Sequence, residues 1–215
     1  HRYMIKYFGY EKLVSKIDCI PLYLDLNFFS VQTPIRNRVH KIAFIGRFSK
    51  EKGVIEFAKS LCCLPGKMVD VLLVGDGELK EDVLEICNSS KQSIRYIGWV
   101  KHEDISSLLN GIKLVVIPSY KEGLPNLLIE AMACGTPVLV APAGAIPGVI
   151  KDEETGFIME NNSPECIAKN VIRAFNHPNI EKIAQNARAL VEMEFSYEKA
   201  VQRWKEVMNK VLRGH

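Results

Sequence analysis

Several features are scarce or missing. No uninterrupted apolar stretch approaches the ~18 residues that mark a membrane-crossing helix. The opening, HRYMIKYFGY, has no leader pattern. It also lacks an initiator methionine, so it reads as the edge of a fragment of something longer. The six cysteines, Cys19, Cys62, Cys63, Cys87, Cys134 and Cys166, form no CxxC and no zinc spacing. Most lie in apolar runs, where cysteine acts as a small hydrophobe, and this usage predicts a reduced, cytosolic protein. The formal net charge is only +3 and is spread along the chain, which argues against a nucleic-acid partner. No complete GxGxxG, internal repeat or low-complexity segment occurs.

What is present is an alternation. With 215 residues, 47% apolar and 25% charged, the chain has the composition of a globular domain, or of a medium domain with an appendage. Apolar runs at 41–46, 69–75, 94–100, 113–119, 136–142 and 155–159 predict strands. Helix-period stretches at 54–62, 78–88, 102–110 and 124–135 separate them. Strands that are apolar throughout, with helices between, predict a parallel sheet covered on both faces. Right-handed crossovers make that an α/β, doubly wound, Rossmann-like domain with ligands at the carboxyl ends of its strands.

From residue 163 the chain reads as helical. Ser163 and Pro164 suit N-cap and N1, and a second helix is predicted over about 180–193. Ser196 caps a third, with Ala200, Trp204, Val207, Met208 and Val211 on one stripe that would seal the core. Residues 16–25 read as a strand running into a connector, and the stretch beyond as a loop.

Three segments converge on the strand ends. GRFSKEKG (46–53) turns at Gly46 and carries Arg47 and Lys52, two cations beside a helix start that suit a diphosphate. The same charges also fit a solvated turn. VGDGEL (74–79) reads as a structural turn. PSYKEGLPNLLIEAMACGTPV (118–138) is the most informative. Gly123 allows an unusual backbone angle or close ligand approach, and Pro125 opens a helix at N1. Free N–H groups near Asn126 and Leu127 form an anion site. Glu122 lies in the loop facing the crevice. Glu130 follows Pro125 by roughly 7.5 Å along the helix axis, at about 1.5 Å per residue. Carboxylates accept two hydrogen bonds from a diol, so the two glutamates suit a sugar and a ribose flanking a diphosphate. Either glutamate alone also fits a helix cap or a solvent-facing position. His102 and His177 read as surface residues without metal-like spacing.

These landmarks resemble the carboxyl-terminal, donor-binding domain of family 4 retaining glycosyltransferases, one half of a GT-B fold. They are GR-x4-KG at 46–53, LLVGDGEL at 72–79, YIGWV at 96–100, E-x7-E from Glu122 to Glu130 running into EAMACGTPVLV, and ETGFIM at 154–159. The resemblance implies catalytic roles for Arg47 and Lys52, on the donor diphosphate, and for Glu122, on the transferred sugar. It implies donor-binding roles for Gly46, Gly123, Leu124, Asn126 and Leu127, for Glu130 on the ribose, and for Gly98 to Val100 beside the base. It further implies retention of configuration by front-face attack, a nucleotide-sugar donor (UDP, GDP or ADP), and no metal or other cofactor.

The same resemblance divides the chain into 1–40, the end of an acceptor domain and a connector; 41–195, the donor domain; and 196–215, a helix packing back on the missing domain. That domain would supply a sugar or lipid-linked acceptor, with peripheral contact at the inner face of a membrane. The expected setting is polysaccharide, lipopolysaccharide or glycoconjugate synthesis. Two departures stand out: Gly148 in AIPGVI occupies a position where the family often has Glu, and IPLYLD stands where IPNG[IV]D is common. A non-catalytic nucleotide-binding subunit that completes a partner is the alternative expectation.

Overall fold

The computed structural model describes residues 22–39 and 41–213. Six strands form one sheet: β1 (Lys41–Ile45), β2 (Asp70–Val74), β3 (Ser93–Ile97), β4 (Leu114–Ile117), β5 (Val138–Val140) and β6 (Phe157–Ile158). Their order is β3-β2-β1-β4-β5-β6 and every pairing is parallel. The doubly wound architecture is therefore as the sequence predicts, and the strand order reverses between β1 and β4.

Among the described residues seven α-helices accompany the sheet: α1 (Val54–Cys63), α2 (Lys80–Asn88), α3 (His102–Asn110), α4 (Asn126–Ala133), α5 (Pro164–Phe175), α6 (Ile180–Glu194) and α7 (Tyr197–Leu212). Successive strand residues serve opposite faces. Ile42 and Phe44 join one core with Val71, Leu73, Val116 and residues of α1, α2 and α5. Ala43 joins the other with Leu72, Val74, Val115 and residues of α3, α4 and α6. The period of two explains why the strands read as continuous apolar runs: both faces are covered. Ser163 and Ser196 cap α5 and α7, their hydroxyls accepting from the amides of Cys166 and Lys199.

Three expectations need correction. The first helix turn after β4 begins at Asn126, and Pro125 is its N-cap, with ψ 131°. The strand expected over 16–25 falls partly outside the described residues, as does Cys19, and residues 22–25 form no strand. The last helix does not seal the core. Only Ala200 of α7 is buried, while Trp204 and Met208 are 54% and 53% exposed. Cys87, Cys134 and Cys166 are buried as small hydrophobes, whereas Cys62 and Cys63 are exposed. Among the described residues no helix is long and apolar enough to cross a membrane.

The connector, residues 22–39, packs onto the second core through Leu24, Phe29 and Ile35. One buried guanidinium fastens it. Arg38 donates to the carbonyls of Thr33 (2.9 Å), Ile112 (3.0 Å) and Cys134 (2.8 Å), and to Thr136 Oγ1 (2.7 Å). It thus joins the C-terminal ends of α3 and α4, where partial negative charge accumulates. Burial lowers its pKa to about 10. Arg188 on α6 adds a second tie, donating to the carbonyls of Phe29 and Ala133 at 2.6 Å each.

Candidate functional site

The reversal of strand order opens a crevice between the loops that follow β1 and β4. The β1 loop is stitched to the turn after β2: the Phe48 amide donates to Asp76 O (2.9 Å) and the Leu79 amide to Phe48 O (3.1 Å). The GDGEL turn is thus structural, as its sequence suggests. The two crevice loops then touch. The Tyr120 amide donates to Glu51 O at 2.8 Å. Gly53 has φ 68°, and a Cβ there would lie 2.1 Å from Pro118 O, so glycine is required for this approach.

That approach brings Lys52 to Glu122. Lys52 Nζ donates to Glu122 Oε1 at 2.7 Å, and the Glu122 side chain is only 8% exposed. Arg47, at the start of the same loop, is exposed and forms no ion pair among the described residues. Both cations thus stand at the crevice, one of them neutralised by the carboxylate that the sequence assigned to another part of a ligand.

Gly123 does not supply the unusual backbone angle expected of it. Its φ is not positive, and a Cβ there would meet nothing within 4 Å. The strained position is Gly144, in the loop after β5. Its φ is 58°, and a Cβ would lie 1.9 Å from Glu122 O. The Ala145 amide also donates to Gly123 O at 2.9 Å. The Glu122–Gly123 backbone is therefore shaped by a glycine 21 positions further on.

Leu124, Asn126 and Leu127 follow at the start of α4, where the Asn126 and Leu127 amides have no acceptor among the described residues. Glu130 is buried in this helix among Leu128, Ile129, Ala131, Met132 and Ala133. Burial pushes its carboxyl above the ordinary 4.5, and His102 pulls the other way. His102 Nε2 lies 3.4 Å from Glu130 Oε1. Beside them opens a cavity of about 480 Å³, walled by Tyr23, Phe28 and Phe29 of the connector and by Asn126 of α4.

His102 is solvent-exposed, as expected, but it belongs to this cavity. His177 is a plain correction: its side chain is 15% exposed, packed edge-on against Phe157 with centroids 5.5 Å apart. Gly98 and Val100 lie in the loop after β3. The Gly98 carbonyl accepts from the Gly75 amide (3.0 Å), and Val100 packs against the second core. Gly46 likewise donates to Val74 O at 3.0 Å. Sequence reasoning missed His102, Gly144 and the connector aromatics. Only the adjacent phenylalanines in a polar loop were visible as a signal.

Comparison with known proteins agrees with this geometry. Residues 27–190 match the family described as Glycosyl transferases group 1. A capsular polysaccharide biosynthesis glycosyltransferase of Staphylococcus aureus is 32% identical over 160 residues, 72% of this chain and 42% of that protein. Sucrose-phosphate synthase from Thermosynechococcus elongatus superposes with a TM-score of 0.80 at 22% identity, covering 98% of this chain and 57% of that one. Anabaena HepE, solved with UDP and glucose, superposes with a TM-score of 0.75 at 21% identity, covering 87% and 55%. The chain spans about half the length of the curated relatives it matches, 57% and 60% of two and less than half of others. It belongs to the group 1 glycosyl transferases.

Proposed function

We propose that this chain is the donor-binding half of a retaining glycosyltransferase. The observation that carries the proposal is the Lys52–Glu122 contact at the strand-order reversal. It puts an ammonium suited to a diphosphate beside a carboxylate suited to a sugar hydroxyl, at the place where such sheets bind ligands. In this reading Arg47 and Lys52 meet the diphosphate, and the amides of Gly123 to Leu127 meet sugar and phosphate. Glu122 orients the transferred sugar and Glu130 holds the ribose. Residues 98–100 flank the base.

In the transfer, the bond from the sugar's anomeric carbon to the diphosphate breaks, and its electron pair goes to the phosphate oxygen. An acceptor hydroxyl oxygen bonds to the same face of that carbon, and its proton passes to the leaving phosphate. Arg47 and Lys52 neutralise the charge that develops on the diphosphate, so the reading assigns no resident metal. The acceptor, a sugar or a lipid-linked sugar, would be bound by a second domain. The similarity to a capsular polysaccharide enzyme supports a role in surface polysaccharide or other glycoconjugate synthesis. Such a role would be cytoplasmic, at the inner face of a membrane when the acceptor is lipid-linked.

Calorimetric titration with UDP, GDP, ADP and CMP tests the reading, with Lys52→Ala as control. One nucleotide should bind, with affinity lost in the variant. Binding that ignores Lys52 would overturn the site assignment.

A further inference from the structure

Glu130 poses a physical problem. It is a carboxylate on a helix whose neighbouring positions are all buried and apolar. A buried charge without a partner is costly. Among the described residues the one basic side chain recorded within 4 Å of it is His102, whose Nε2 is 3.4 Å from Oε1. Glu103, the other charged residue of α3 at this cavity, pairs with Lys101 (3.3 Å).

The imidazole is itself held. It stacks on Phe28 with centroids 5.9 Å apart and planes 15° from parallel, and it meets Phe29 edge-on at 5.6 Å. The two rings lie 4.8 Å apart and nearly perpendicular, so they form a corner around it. The corner is anchored to the same helix as the histidine. Ser106 Oγ donates to Phe28 O at 2.7 Å. Asn110 accepts from the Gln32 amide (2.7 Å) and donates to Ser30 O (2.9 Å). His102, Ser106 and Asn110 recur every four residues, so one face of α3 grips the connector along its length.

We propose that His102 is a positioning residue. It holds Oε1 of Glu130 against the aromatic corner and so leaves Oε2 turned to the cavity, where it accepts from the vicinal diol of a nucleoside ribose. The assignment rests on the donor-site reading and deepens it. Glu130 alone has carboxylate rotamers that point elsewhere; a neighbouring ring laid against Phe28 and Phe29 favours one of them. His102 thereby sets how sharply the site separates ribonucleotides from nucleotides lacking the diol, without itself touching the phosphate.

The test uses the full chain and three probe sets: UDP, GDP and ADP; their 2′,3′-dideoxy counterparts; and inorganic pyrophosphate. The wild-type protein should prefer one ribonucleotide over its dideoxy form by about tenfold or more, the scale of a hydrogen bond to a charged group. His102→Leu should shrink that preference to about threefold or less, leaving pyrophosphate affinity unchanged. His102→Gln carries an N–H donor of similar reach and should restore most of it. If His102→Leu proves unfolded by circular dichroism, Phe28→Leu removes the stacking ring and should narrow the same preference.

A wild-type-like preference in folded His102→Leu, or in Phe28→Leu where His102→Leu is unfolded, would overturn the positioning role while leaving the donor site intact. Equal loss of pyrophosphate binding would reduce His102 to a general structural part. A wild-type chain that binds none of the ribonucleotides would overturn the donor-site reading and this assignment with it.

Discussion

Lys52 and Glu122, 70 positions apart, are joined by a 2.7 Å ion pair that closes across the reversal of strand order. The carboxylate engages the same ammonium that the proposed site offers to a diphosphate. In the proposed donor site a diphosphate would share Lys52 or draw it away, and in doing so would release a Glu122 oxygen for a sugar hydroxyl. On that reading, diphosphate and sugar binding would be coupled through this one ion pair.

Glu122→Gln should uncouple them. UDP, which carries no sugar, should bind up to about fivefold tighter, since a pair whose ammonium is open to solvent is worth about 1 kcal/mol or less. The preference for UDP-glucose over UDP should fall. Parallel calorimetric titrations of the two ligands check both effects, and weaker UDP binding in the variant would contradict the coupling.

Lys52→Ala should weaken UDP binding by about 1–3 kcal/mol, the scale of a hydrogen bond between charged groups. Arg47→Ala should act in the same direction, with little effect on stability because its side chain is exposed. Titration at low and high salt checks this: the wild-type affinity should fall more steeply with salt than that of either variant.

Glu130 gives a pH signature. Its folded carboxyl titrates above the ordinary 4.5 because it is buried. The native state therefore binds more protons than the unfolded chain between those two values, and stability falls as pH rises through that window. Glu130→Gln removes the titration. Near pH 7 it should raise Tm, because the neutral amide carries no charge to bury. Below pH 4 the gain should vanish. The same variant should lose ribose discrimination, so stability and binding move in opposite directions.

Gly144→Ala should destabilise the fold by about 1–3 kcal/mol, the cost of a non-glycine residue at strained φ. It should also shift Glu122, whose carbonyl it would strike, and so weaken UDP-glucose binding beyond the stability loss. Gly148→Ala is the control. Its φ is ordinary and nothing lies within 4 Å, so its effect should stay within about 0.5 kcal/mol.

The sheet was legible because each strand is an apolar run between helix-period segments, and both signals are local. VDVLLVG, for example, contains the whole of β2. The caps at Ser163 and Ser196 are local as well. E-x7-E was legible because its two carboxylates sit on one loop and the helix that follows. The unforeseen features are all tertiary. His102 and Glu130 belong to different helices, and the connector's hydrogen bonds reach Asn110, nearly 80 positions away. The positive φ expected at Gly123 fell instead on Gly144, because the loop after β5 crosses over the loop after β4. The stripe on α7 had the right period, but periodicity does not name the surface a stripe meets, and here that surface is not this domain's core.

Arg38 gives the connector mechanical leverage. It pins the C-terminal ends of α3 and α4 at one point, while His102 and Asn126 ride at the opposite ends, about 12 Å away at roughly 1.5 Å per residue. The segment that leads into β1 is thus tied to the same two helices whose first residues line the cavity.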